Sequence, residues 1–128
     1  MARKCFVIMP FAESFDGIWR TVVKPVVEAT GDECLRADDI FVPGSVIADV
    51  VNSIREADYI IADVSLQNPN VYYELGFAHA LDKPAILISS DLSQLPFDLN
   101  NQKVIRYSDT AGGAEALRES LHRFLSSI

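Results

Sequence analysis

DYIIADVSLQNPNVYYELGFAHALDKPAILISSD, residues 58 to 91, changes its periodicity twice. DYIIADVS (58–65) is a short apolar run of the kind that forms a strand buried on both faces, and NPNVYYELGFAHAL (68–81) places its apolar residues at helical spacing. KPAILISSD (83–91) reads as a strand again. Inside the helix, Val71, Leu75, Ala78 and Leu81 gather into one apolar arc at roughly 100° per residue, and Glu74 projects between Ala78 and Leu81, within that arc. A solvated glutamate belongs on the opposite face. With Asn70 as N-cap the capping-box position is Tyr73, so Glu74 comes one residue too late to close a box. Two readings stay open for it: a rim residue that snorkels to water, and a carboxylate placed for function.

The same alternation extends over the rest of the chain. KCFVIMP (4–10) reads as a first strand, and DGIWRTVVKPVVEATG (16–31) as a helix with Asp16 near its start, a kink at Pro25 and a stop at Gly31. ECLRAD (33–38) is a second strand, and SVIADVVNSIREA (45–57) a helix capped by Ser45. QKVIRYSD (102–109) is the last strand, followed by a helix in GGAEALRESLHRFLSSI (112–128). Five strands and four helices, alternating except where the long connection joins the fourth and fifth strands, predict an α/β fold: a doubly wound, five-stranded parallel sheet of flavodoxin-like (Rossmann-like) order 2-1-3-4-5, with helices on both faces. The 128 residues suit one such domain, spanning 1–128. SSDLSQLPFDLNN (89–101) is the one long connection, and its length suggests a loop at a site.

Composition narrows the function classes. The chain is 49% hydrophobic and 23% charged, ordinary for a soluble globular protein. Its 18 acidic against 11 basic residues give a formal charge of -7, with no Lys/Arg cluster. That argues against a nucleic-acid polymer as partner. No apolar run approaches the roughly 20 residues needed to span a bilayer, so no membrane is expected. Cys5 and Cys34 lie in separate apolar segments without CxxC spacing, which predicts buried thiols in a reducing cytoplasm and no metal site. No GxGxxG, GxxxxGK[ST] or GxSxG motif is present, and no cofactor is expected.

A doubly wound sheet binds its ligand beyond the carboxyl ends of the strands, where strand order reverses. For order 2-1-3-4-5 that rim comprises Met9, Pro10 and Phe11 after the first strand and Asp63, Val64 and Ser65 after the third. Glu74 reaches the same crevice from its helix, with Asn70 before it. Arg36 and Asp38 end the second strand, and Ser89, Ser90 and Asp91 the fourth. For Asp63 a helix cap or Asx-turn stands beside a ligand contact. A rim salt bridge is the preferred reading of Arg36 and Asp38. The serines can equally shape a turn. Two carboxylates in a crevice, without metal cluster or thiol motif, are the constellation of glycosyl transfer.

IMPF after the first strand, RAD ending the second, ADYIIADVS on the third, NPNVYYELGFAHAL on the helix and then KPAILI together resemble the nucleoside 2-deoxyribosyltransferase-like superfamily. Its neighbours include TIR-like (Toll/interleukin-1 receptor-like) domains of bacteria. The resemblance extends to about LPFDL. It implies that Glu74 is the nucleophile on the sugar anomeric carbon, that Asp63 contacts the base or supports proton transfer to it, and that Pro10 and Phe11 line the pocket. A nucleoside, a nucleotide or NAD is the small-molecule partner it implies. The chain departs from the transferases in its approach to the glutamate, QNPNVYY, where Asn68 and Asn70 carry amides, and in FLSSI at its end. Hydrolysis, a TIR-like cleavage of NAD, and a signalling module that binds without turnover therefore stand beside base exchange. Aromatic density at Phe11, Phe15, Trp19, Tyr72 and Tyr73 also suggests a homo-oligomer.

Overall fold

The computed structural model describes residues 2–10, 13–37, 46–93, 103–108 and 110–128. Strand β1 spans Lys4–Ile8, β2 Glu33–Arg36, β3 Tyr59–Asp63, β4 Ala85–Ser89 and β5 Val104–Arg106. They form one sheet in the order β2-β1-β3-β4-β5, and all four neighbouring pairs are parallel. The flavodoxin-like α/β architecture expected from the alternation of runs is the one adopted. Each strand is shorter than its apolar run. In β1 the ladder stops at Ile8, opposite Ala62, and Pro10 just beyond has no N–H to add to it.

Successive strand residues face opposite sides of the sheet, and here they enter two separate cores. Cys5, Val7, Met9, Tyr59, Ile61 and Ile88 pack beneath α1 (Glu13–Ile18), α2 (Lys24–Ala29) and α5 (Ala111–Ser127). Phe6, Ile8, Ile60, Ala62, Val64 and Leu87 pack against α3 (Val46–Glu56) and α4 (Pro69–Ala80). Asp63 follows the parity of Tyr59 and Ile61, so it belongs to the α5 side of the sheet. Glu74, on α4, belongs to the other side.

The helix expected over 16–31 is present but not uniform. Between α1 and α2 the chain widens into a π-turn over Trp19–Val23, in which the Lys24 N–H bonds to the Trp19 carbonyl. Pro25 supplies the reason: it has no N–H for the Thr21 carbonyl four residues back, and its ring would collide with that carbonyl in a regular helix. The freed Thr21 carbonyl accepts instead from the Arg118 guanidinium on α5, at 3.2 Å. The expected kink at Pro25 is thus a π-turn just ahead of it. Gly31, with φ at +89°, terminates the segment as expected. Trp19 and Phe15 are buried in the chain's own core beneath this helix, not free to face a second subunit.

Cys5 and Cys34 are buried free thiols in register on adjacent strands. At the amino end of the sheet, Asp32 accepts from the Arg3 amide at 3.1 Å and the Tyr59 hydroxyl at 2.8 Å, and pairs with the Arg3 guanidinium at 2.9 Å. The same guanidinium donates to the carbonyls of Leu125 and Ile128, at 3.4 and 2.9 Å. Among the described residues no helix is long and apolar enough to cross a membrane. None of them form a cluster of three or more His, Cys, Asp or Glu suited to a metal ion. The expected cap Ser45, the site candidates Phe11 and Asp38, and residues 94–101 of the long connection lie outside the described residues.

Candidate active site

β1 leads outward to β2 and β3 leads the other way to β4, so the chain diverges between β1 and β3. At that switch point lies a cavity of about 200 Å³. It is lined by residues 7–10 at the end of β1, by Ala37 and Val50, and by Asn68, Asn70, Val71, Tyr73 and Glu74 at the start of α4. Of the residues singled out by sequence, Met9, Pro10, Asn70 and Glu74 come together here.

The placement of Glu74 follows from how α4 begins. Its N-cap is Asn68, not Asn70: the Asn68 Oδ1 accepts from the amides of Asn70 at 2.9 Å and Val71 at 3.2 Å, and Pro69 takes the first helical position. Pro suits that position because its missing N–H is one the helix start leaves unbonded anyway. Val71, Leu75 and Ala78 are buried along one stripe. Glu74 lies one turn from both Val71 and Ala78 and is carried to the sheet by their packing. Leu81 is past the end of the helix and 38% exposed, so the arc closes at Ala78. Gly76 faces open space rather than the sheet, and a methyl group added there would meet nothing within 4 Å.

Two effects act on the Glu74 carboxyl in opposite directions. The helix dipole favours the anion, but it fades beyond the first turn, and Glu74 is six residues past the cap. Burial favours the neutral acid and wins, pushing the group from 4.5 up to about 7. Among the described residues none donates a hydrogen bond to it or pairs with it. The result is a half-buried carboxyl poised to change charge at neutral pH.

Asp63 has a different environment. It is almost fully buried, and its carboxylate accepts from the Ser65 amide at 2.9 Å, from the Ser65 hydroxyl, and from the Tyr107 hydroxyl at 2.5 Å. Burial raises its pKa, against the opposing pull of the Ser65 and Tyr107 hydrogen bonds. The Ser65 hydroxyl in turn accepts from the Ser90 amide at 2.9 Å. Asp63, Ser65, Ser90 and Tyr107 thus tie the carboxyl ends of β3, β4 and β5 together. None of the four lines the cavity. Arg36 is buried on the same face as Asp63, within 3.3 Å of Asp16 and stacked 4.9 Å over the Trp19 ring. Its expected partner Asp38 is among the residues not described.

Sequence reasoning did not single out Tyr73 or Asn68 as cavity residues, nor Tyr107 as the partner of Asp63. For Tyr73 a signal existed, since it stands three residues after Asn70 and shares its helix face. Tyr107 carried none, because it meets Asp63 across 44 residues of chain.

A parallel 2-1-3-4-5 sheet between two helical layers, with its cavity at the switch point, defines the doubly wound fold shared by nucleoside 2-deoxyribosyltransferases and TIR domains. Comparison with solved structures bears this out. The chain is similar to the TIR domain of a Toll-related receptor from Hydra magnipapillata, at 18% identity and a TM-score of 0.73, covering 96% of this chain and 94% of that one. It is similar to a CMP N-glycosidase of Clostridium botulinum, at 18% identity and a TM-score of 0.72, over 98% and 100% of the two chains. A 2-deoxyribosyltransferase of Bacillus psychrosaccharolyticus matches at 15% identity and a TM-score of 0.66, over 93% and 90%. At such identities the likeness is one of fold. No protein-family model matches the chain, and no curated protein matches its sequence.

Proposed function

We propose that the protein cleaves or transfers at the N-glycosidic bond of a nucleoside or nucleotide, with the Glu74 carboxylate acting on the anomeric carbon. The observation that carries this reading is the half-buried carboxyl of Glu74, without a partner among the described residues, lining a cavity at the switch point of the sheet. Breaking an N-glycosidic bond develops positive charge on the sugar, and a carboxylate beside C1′ stabilises that charge or traps it as a glycosyl ester. A carboxylate short of water and of partners gives up little solvation to do so. Met9, Pro10, Asn70 and Tyr73 would then hold sugar and base. Asp63 acts at one remove: with Tyr107 and Ser65 it anchors the loop that delivers α4. The names of two fold neighbours, a 2-deoxyribosyltransferase and a CMP N-glycosidase, support the same chemistry.

One observation favours a second reading, binding without turnover: the described lining of the cavity holds one carboxylate, with Asp63 on the far face of the sheet. The two readings separate by chromatography of nucleosides, nucleotides and NAD incubated with the protein, a second free base being added to half the samples. Release of base that Glu74→Gln abolishes is the expected result, and new nucleoside in the added-base samples makes the activity a transfer. Tight binding with no product from any substrate overturns the enzyme reading.

A further inference from the structure

The chain has two cysteines, and the fold brings them together. β1 and β2 run parallel with Cys5 directly opposite Cys34, and both side chains leave the sheet toward the same core, beneath α1, α2 and α5. Neighbouring strands stand ~4.7–4.9 Å apart, inside the ~4.4–6.8 Å between Cα atoms that a disulfide spans. The side chains point the same way, so neither strand has to turn for one sulfur to face the other. The thiols already lie within hydrogen-bonding reach. The N-glycosidic reading makes no use of them.

The two thiols differ in how they can be reached. Cys5 lies on β1, inside the sheet, and Cys34 on β2, the outer strand on that side among the described residues. An outer strand opens locally at less cost than the strand it covers, so an oxidant reaches Cys34 first. Burial, and then the neighbouring Cys34, push the Cys5 thiol well above its ordinary value. Cys5 therefore holds little thiolate with which to attack on its own. One reachable and one withheld thiol suit a sequence in which the first is oxidised and the second resolves it. The link they form is a reducible one. Parallel strands in register hold their Cβ atoms at about the strand spacing, beyond the ~3.5–4.5 Å of a relaxed disulfide. Closing that gap draws β2 toward β1 and strains the bond, and strained disulfides are the labile ones.

We propose that Cys5 and Cys34 form a reversible oxidation site, a dithiol that hydrogen peroxide converts to a disulfide across β1 and β2. The Cys34 sulfur attacks one peroxide oxygen and the O–O bond breaks. The departing hydroxide takes the Cys34 thiol proton and leaves as water, and Cys34 becomes a sulfenic acid. The Cys5 sulfur then attacks the Cys34 sulfur, the S–O bond breaks, and the second hydroxide leaves as water with the Cys5 proton. Two electrons and two protons pass from the thiols to the peroxide, which ends as two waters.

The test exposes the folded protein to hydrogen peroxide, alkylates the remaining thiols in denaturant and measures the intact mass. Cys5→Ser and Cys34→Ser are treated alongside, with circular dichroism to show that each folds. The parent should lose both thiols together, end two hydrogen atoms lighter as a single chain, and recover both thiols in dithiothreitol. Cys5→Ser should stop at a Cys34 sulfenic acid that dimedone traps. In Cys34→Ser the modification of Cys5 should be at least about tenfold slower than that of Cys34 in Cys5→Ser. Two thiols still open to alkylation after peroxide overturn the proposal. So do a disulfide between two chains on a non-reducing gel and a Cys34 sulfinic acid beside an intact Cys5 thiol. A disulfide that dithiothreitol leaves closed in the folded protein overturns its reversibility, and equal rates in the two variants overturn the order of attack. The parent's mass alone decides whether the disulfide forms, even where a variant fails to fold.

Discussion

At the scale of single residues, Glu74 sets function against stability. Its raised pKa means that the folded chain holds the proton more tightly than the unfolded chain does. Below about pH 4 both states are protonated and the group is neutral in its effect. As pH rises the unfolded chain ionises first, so native stability falls until the folded group ionises near 7, and it stays lowered above that. Glu74→Gln should therefore unfold at the same temperature as the parent in acid and at a higher one under alkaline conditions. Thermal melts should place the difference at about 2 kcal/mol, after discounting for the water that still reaches the carboxyl. On the proposed N-glycosidic reading, activity should run the other way, with kcat/KM rising through an apparent pKa of about 7 as Glu74 ionises. An activity profile flat between acid and alkaline pH would remove Glu74 from the chemistry. Tyr107→Phe tests the other carboxylate. Without the phenol, one buried Asp63 oxygen loses its donor, an expected cost of about 1–3 kcal/mol in denaturant unfolding.

At the scale of elements, α4 was legible in the sequence for most of its length. Val71, Leu75 and Ala78 declare the buried stripe by spacing alone, and Glu74 stands out because it interrupts that stripe. The cap was misplaced by two residues, since Asn68 and Asn70 are chemically alike and only the bonds to the amides of Asn70 and Val71 tell them apart. Gly76 shows a related limit: the sequence shows that a glycine is present, whereas only packing shows which way its missing side chain would point. It points outward, so Gly76→Ala should stabilise the protein by about 0.5–1 kcal/mol through helix propensity. Base release should be unchanged. A loss of stability in thermal melts would mean that the backbone at Gly76 is not regular helix. The π-turn ahead of Pro25 shows a different limit. The proline announced a defect, but the donor that satisfies the freed Thr21 carbonyl is Arg118, 97 residues away.

At the scale of the whole molecule, the strand order could be read in advance because parallel strands buried on both faces leave continuous apolar runs, and right-handed crossovers leave few ways to join them. The face each strand residue takes could not. Asp63 and Glu74 were expected in one crevice because both lie at the same end of the sheet, yet strand parity turns Asp63 toward α5 and leaves Glu74 with α4. One end of the sheet therefore carries two separate constructions, a cavity on one face and a hydrogen-bonded brace on the other. Substitutions in the brace should lower melting temperature in step with how much they disturb the loop to α4, whereas those in the cavity should alter turnover with little loss of stability.

The grip of Arg3 on the carbonyls of Leu125 and Ile128 brings the first strand and the last helical turn within one side chain's length of each other. A short flexible linker could join residue 128 to residue 2, and new ends could be opened at Asp82, an exposed turn residue with φ at +57°. Such a circular permutant would start at β4 and finish with α4, keeping the same sheet. It should fold with a circular dichroism spectrum matching the parent, and it would place Glu74 close to a chain end, within reach of a short peptide tag.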